Sequence, residues 1–214
     1  LQLSELESSV VGAQLGSQAI SSSLKAGAIG LAIVMVFMII MYAVPGIAAS
    51  LALAIYTTLV IATLYLFDIT LTLPGIAGII LSIGMGVDAN VITAERIKEE
   101  LNNGKTLNGA IELGYKRAWS AVFDGNITVV FVAIILMGAF GPTDSVFGTL
   151  LSPVFSVFGA STAGTIYSLG YTLLVGILLN FVFGIFCSRL MLSSLSKFKC
   201  FKKRKLYGGA EINE

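Results

Sequence analysis

Residues 71 to 101 read LTLPGIAGIILSIGMGVDANVITAERIKEEL, and how this stretch is read decides the fold. No charged residue occurs from Leu71 to Val87, and charges crowd the segment from Glu95 onward. A helix needs about 20 residues, at 1.5 Å each, to cross roughly 30 Å of hydrocarbon. The apolar part is long enough to do so. Asp88 interrupts it eight residues before Arg96, about 12 Å along a helix axis, which places a carboxylate inside the hydrocarbon and not at its surface. Such a group is costly unless it faces a bundle interior, a wet cavity or a partner, so it is a candidate functional residue. The bland alternative is that the span ends early and Asp88 caps the helix that follows.

Composition agrees with a membrane setting. The 214 residues are 56% hydrophobic and 12% charged, with a mean hydropathy of +0.92. Soluble domains carry about twice that share of charge. Histidine is absent, which excludes histidine metal ligands and a histidine general base, and two cysteines, Cys187 and Cys200, give no disulfide framework. No metal and no cofactor is expected, and nothing implies a nucleic-acid partner.

Outward from the opening stretch, five apolar windows of spanning length stand at about 25–44, 46–67, 71–92, 124–141 and 165–191. They are continuously apolar with no period-two alternation, so a helical bundle is expected and a β-barrel is not. The fold class is therefore an all-α polytopic bundle with five transmembrane helices. Pro45-Gly46 separates the first two windows, and Asp68 with Pro74-Gly75 separates the next two. Arg96, Lys98, Lys105, Lys116 and Arg117 lie between spans three and four, and Arg189 with six further Lys and Arg from Lys197 to Lys205 ends the chain. Lys25 alone lies elsewhere. An odd number of spans puts both basic clusters on one side, which the positive-inside rule makes cytoplasmic. Three regions follow: an outer segment 1–24, a membrane bundle 25–191 with a cytoplasmic hairpin at 93–123, and a basic cytoplasmic tail 192–214. Segment 1–24 has no signal-peptide pattern, so an earlier membrane segment is expected upstream.

In the hairpin, Ile97 and Leu101, then Leu107, Ile111 and Tyr115, recur at four-residue spacing. This predicts two short amphipathic helices, broken at Asn102-Asn103-Gly104, with Thr106 capping the second. They are read as packing under the bundle. The tail KFKCFKKRK is read as an anchor at the anionic lipid surface. On the outer side an insertion at 143–165, interrupted by Pro153, is too short to span, and a re-entrant or interfacial hairpin is expected.

Span four adds a second polar entry. FDGNIT places Asp124, Asn126 and Thr128 at its cytoplasmic end, matching the Asp88-Ala89-Asn90 of span three. Asn90, Asp124, Asn126 and Thr128 are therefore candidate supporting residues. Gly78, Gly84 and Gly86 suit close helix packing, as small residues do in membranes.

The opening stretch, together with AIELGYKRAWSAVFDGNIT at 110–128, resembles the SecD family, the auxiliary membrane subunit of the Sec protein-export machinery. The similarity continues through SVVGAQLGSQAISSSLKAG near the start and LGYTLLVGILLNFVFGIFCSRLML near the end, and GMGVDAN favours SecD over its sister SecF. That resemblance implies a member of the resistance-nodulation-division superfamily, with this chain holding spans two to six and only the tail of a large outer domain. It implies that Asp88 is a proton-relay residue, that the partners are a SecF-like subunit, the Sec channel, exported preproteins and membrane lipids, and that the location is the bacterial plasma membrane. It implies no enzymatic activity. The coupling ion, H+ or Na+, stays open. The 143–165 insertion departs from the usual pattern.

Three rival classes share parts of this pattern. An intramembrane aspartyl protease commonly has Gly-x-Gly-Asp, whereas Gly84-Met85-Gly86-Val87-Asp88 is one residue longer, which rotates the carboxylate by about 100°. A passive translocon scaffold would use Asp88 as a buried acceptor for Asn126 or Thr128. A superfamily transporter of a small molecule or lipid would share the bundle, because fold does not fix substrate.

Overall fold

The structure is a computed structural model that describes residues 13–69, 71–141, 149, 164–198, 201 and 204–209. Every long element is helical. In chain order these are α1 (Ala13–Leu66), α2 (Leu73–Asn102), α3 (Leu107–Phe140), α4 (Gly164–Leu179), a π-helical turn at Asn180–Gly184, α5 (Ile185–Leu195) and a short 3₁₀ turn at Arg204–Tyr207. The 143–165 insertion lies almost wholly outside the described residues.

Among the described residues four helices are long and apolar enough to cross a membrane: Gly16–Leu66, Leu73–Asn102, Leu107–Phe140 and Thr165–Leu195. The windows 25–44 and 46–67, expected as two of five spans, fall in one continuous element, α1. Its 54 residues are interrupted at Ala43, whose φ of 45° and ψ of −109° are not helical. The chain doubles back there. A Cβ on Gly46 would collide with the Met38 carbonyl, and the Ser50 hydroxyl donates to the Met35 carbonyl at 3.3 Å across 15 residues. In a straight helix those two residues would stand about 22 Å apart. Pro45 makes the reversal compact, because the first turn of the returning arm needs no N–H donor from it and helical bonding resumes without a loop.

Sequence signals at the other ends act as expected from their chemistry. Thr72, with φ −96° and ψ 163°, caps α2 by accepting from the Gly75 N–H at 3.1 Å, and Pro74 occupies the first turn. Thr106 caps α3 by accepting from the Gly109 N–H at 3.3 Å. Between them Gly104 takes a φ of 82°, a left-handed conformation open to glycine at no steric cost. The two amphipathic stretches are not separate short helices, however. They continue α2 to Asn102 and begin α3 at Leu107, because no breaker stands between them and the apolar windows.

Helices α2, α3 and α4 pack against one another, and α1 packs on α2 and α5. Ile97, Leu101, Ile111 and Tyr115 close one end of the bundle together with Val44 beside the α1 reversal, Leu192 of α5 and Tyr207 of the tail. Buried Glu100 pairs with Arg117 across the α2–α3 turn. The tail turn docks at the same place, where Arg204 Nη2 donates to the Leu101 carbonyl at 2.6 Å. That bond adds a second donor to a carbonyl at the C-terminus of α2 that also accepts from the Gly104 N–H at 3.0 Å.

Candidate functional site

The last span carries Ser168, Thr172, Gly176, Asn180, Gly184 and Ser188 at intervals of four. Successive members of the series are offset by only about 40°, and Ser168, Thr172, Gly176 and Asn180 meet α2 along a seam of small and polar residues. At one end Thr72 Oγ1 donates to Ser168 Oγ at 2.8 Å. Next, Thr172 Oγ1 donates to the Gly75 carbonyl at 3.0 Å and lies where a Cβ on Gly78 would sit. Gly78 thus lets the two backbones approach.

Deeper in the seam the Tyr56 hydroxyl, from the returning arm of α1, donates to the Gly176 carbonyl at 2.9 Å, with Ser82 Oγ at 3.1 Å. Ser82 in turn donates to the Ile79 carbonyl at 2.8 Å. One turn further along, Asn180 Oδ1 stands 3.2 Å from the Cβ position of Gly86 and against Gly184. Asn180 is 1% exposed, and among the described residues neither atom of its amide has a hydrogen-bond partner. It also opens the π-helical turn, a rare widening of the helix that is found frequently at functional sites. At the basic end Tyr115 and Ser188 hydroxyls meet at 3.1 Å.

The candidates from the two Asp-x-Asn motifs are divided by the fold. Residues two apart on a helix point about 200° away from each other, so Asp and Asn cannot share a face. Asn90 is buried and its Nδ2 donates to the Gly86 carbonyl at 3.0 Å; Asn126 is buried and its Nδ2 donates to the Val122 carbonyl at 2.8 Å. Each asparagine thus bonds back onto its own helix. Asp88 and Asp124 are exposed on the outside of this chain. Among the described residues no side chain bonds or pairs with the Asp88 carboxylate. Thr128, also exposed, donates to the Asp124 backbone carbonyl at 3.1 Å and not to a carboxylate. Gly84 has nothing within 4 Å of its Cβ position, so it too belongs to the outward face.

Asp88 stands 15 residues after Leu73, about 22 Å into α2, which is well within a hydrocarbon layer of about 30 Å. The outward stripe of α2 that holds Gly84 and Asp88 therefore carries an exposed carboxylate within a helix long and apolar enough to cross a membrane. No group of histidine, cysteine or carboxylate residues able to hold a metal ion occurs among the described residues. Tyr56, Ser82, Thr172 and Asn180 were not singled out by sequence reasoning. The four-residue recurrence in the last span was the available signal.

Comparison with known proteins follows the same contour. Residues 2–197 match the family described as protein export membrane protein SecD/SecF, C-terminal. A protein translocase subunit SecD of Leptotrichia buccalis is 39% identical over 214 residues, covering 100% of this chain and 48% of that protein. A SecDF subunit of Bacillus subtilis is 38% identical over 212 residues, covering 98% and 25%. A crystal structure of SecDF in its super-membrane-facing form superposes with a TM-score of 0.65 at 27% identity, covering 85% of this chain and 22% of that one. The chain thus spans half or less of the length of these relatives.

Proposed function

We propose, from the premise that this chain belongs to the SecD/SecF C-terminal family of protein-export membrane proteins, that it is the membrane bundle of a SecD-type subunit assisting preprotein export. In this reading the ion gradient drives the work, with Asp88 as the relay. The observation that carries it is the exposure of Asp88 on an apolar helix at membrane depth. An ionised carboxylate facing lipid is costly. A second bundle must cover the stripe in the assembled complex, and a SecF-like subunit is the partner this family reading supplies. The SecDF subunit of B. subtilis is named for both halves, which favours such a pairing.

The reading includes five crossings. At 1.5 Å per residue the 54 residues of α1 would reach about 80 Å, far beyond one bilayer, and the Ser50–Met35 bond folds its two arms together. The reversal, the α2–α3 turn and the docked tail share one end of the bundle, and the basic clusters lie there. That end is cytoplasmic by the positive-inside rule, in the plasma membrane of a bacterium, with the N-terminal segment outside.

A membrane potential supplies about 2.3 kcal/mol per elementary charge per 100 mV. A carboxylate reached in turn from either side converts that work into a shift between two packings of the paired bundles. Neutral Asp88 suits the packing in which the stripe is dry, and ionised Asp88 the one in which it is wet. Either H+ or Na+ serves this scheme. A passive scaffold using Asp88 as an acceptor for Asn126 or Thr128 is disfavoured, because neither bonds to it.

The test is export of a secreted reporter in cells whose only copy of the full subunit carries Asp88→Asn. The substitution keeps shape and hydrogen bonding but removes titration. Loss of gradient-dependent export at unchanged membrane abundance is expected. Wild-type export would overturn the relay.

A further inference from the structure

A cleft of about 480 Å³ opens between α3 and the segment running from the π turn into α5. It is graded along its length. Glu112, Lys116 and Arg189 line one end, while Trp119, Phe181 and Phe186 line the other. Trp119 is 51% exposed and Phe186 59% exposed, so the apolar walls face outward and not into the core. Phe181 lies between the rings of Trp119 and Phe123, at 6.3 and 5.7 Å between centroids.

Depth follows from helix length. α3 ends at Phe140, and the 20 or so residues that cross hydrocarbon reach back to the neighbourhood of Trp119. Tryptophan favours that boundary. The charged end of the cleft therefore sits at headgroup level and the aromatic end among the acyl chains. Two of the three charges are cationic, and among the described residues neither Lys116 nor Arg189 has a carboxylate in ion-pair range. The Arg189 guanidinium is held 6.0 Å over the Tyr115 ring. Tyr115 is itself fixed by Ser188, so the cation is positioned by the protein.

We propose that this cleft binds one anionic membrane phospholipid, its phosphate between Lys116 and Arg189 and an acyl chain along Trp119, Phe181 and Phe186. Clefts of roughly 300–1,000 Å³ with apolar walls and a few placed polar groups are the usual form of small-molecule sites. Basic pockets between membrane helices are the usual form of headgroup sites. Glu112 at the mouth disfavours a second anion and leaves one net positive charge. The site is separate from Asp88 and does not depend on the export reading.

The full 214-residue chain, reconstituted in nanodiscs with equal parts phosphatidylglycerol and phosphatidylcholine, tests it by native mass spectrometry of the retained lipid. Preferential retention of phosphatidylglycerol is expected, falling roughly fivefold for each cation removed in Lys116→Gln and Arg189→Gln. Lys105→Gln, in the exposed α2–α3 turn, should leave the preference intact. Val182→Trp, which fills the cleft from an exposed position, should lower retention of both lipids. A phosphatidylglycerol with a photoreactive acyl chain should label peptides containing Trp119 or Phe186 in the unsubstituted protein, so the answer does not depend on folding of a variant. Undiminished preference in the double Gln variant, or labelling confined to other surfaces, would overturn the proposal. So would a cleft shielded only when a SecF-type subunit is co-reconstituted, which would assign it to a protein partner.

Discussion

Asp88 and Asn90 stand two residues apart on α2 and face opposite sides: the Asn90 amide is buried and bonded to the Gly86 carbonyl, and the Asp88 carboxylate is exposed. The same charge therefore has different consequences at the two positions. Asn90→Asp would place a carboxylate inside the bundle, at a cost of roughly 3 kcal/mol for an acid at membrane depth. Asp88→Asn removes a charge from the outer face and should leave folding unchanged. Thermal unfolding in detergent and membrane abundance by blot check both, and equal stability of the two variants would contradict the assigned facing.

The α2–α4 seam predicts a contrast between two glycines on one helix. Gly78→Val would press into Thr172 and the Leu169 carbonyl and should cost about 1–3 kcal/mol, the usual range for overpacking. Gly84→Ala meets open space in this chain and should be neutral or slightly stabilising by helix propensity. Unfolding midpoints measured on the two variants side by side decide this.

Ala43 holds a φ of 45° and ψ of −109°, the conformation of the first central residue in a type II′ turn. A Cβ is strained there, so Ala43→Gly should stabilise the reversal by about 1 kcal/mol. The check is a raised unfolding midpoint with unchanged helical content. A lowered midpoint would argue against the doubled-back α1.

Tyr207 is buried in the tail turn, and burial pushes its phenol up from 10.0 to about 12. The folded state thus favours the neutral phenol. The stabilisation it contributes is complete below pH 10 and is lost as pH rises towards 12. Ultraviolet absorbance of tyrosinate, taken as the difference between wild type and Tyr207→Phe, should show this late titration. Among the described residues the hydroxyl has no partner, so Tyr207→Phe should be neutral or stabilising below pH 10.

The Asn180 amide is buried with both atoms unpaired among the described residues, a cost of about 1–3 kcal/mol. Asn180→Leu, which keeps the branched four-atom shape of the side chain without its polar atoms, should therefore raise stability. If export falls in that more stable variant, the amide is retained for function and not for packing. Unfolding midpoint and reporter export measured together separate the two outcomes.

Local chemistry made some of the fold readable. Thr72, Pro74, Thr106 and Gly104 each act through their own backbone neighbours, so their caps and turns follow from the residues alone. Pro45-Gly46 marked the reversal, but its sharpness depends on contact between Met35 and Ser50, which no window of the sequence displays. The division of Asp88 from Asn90 follows from helix geometry, and reading Asp-x-Asn as one polar unit overlooked it. Asn180, Tyr56 and Ser82 come from three distant segments, and only packing brings them to one node. The basic tail carries Tyr207 into the core through a contact its charge pattern conceals.

Separation along the chain orders the assembly of the bundle. The Ser50–Met35 bond closes over 15 residues, so the two arms of α1 can pair as soon as they leave the ribosome. The seam contacts close over 96, 97 and 120 residues, and none can form until the last span is made. Longer closures are slower and leave partners exposed in the interval. Tyr56 and Thr72 must therefore wait in the membrane without their partners on α4, and the final helix is the one that locks the earlier three together. Truncation or delay within that last span consequently harms the whole bundle, while the α1 hairpin survives it.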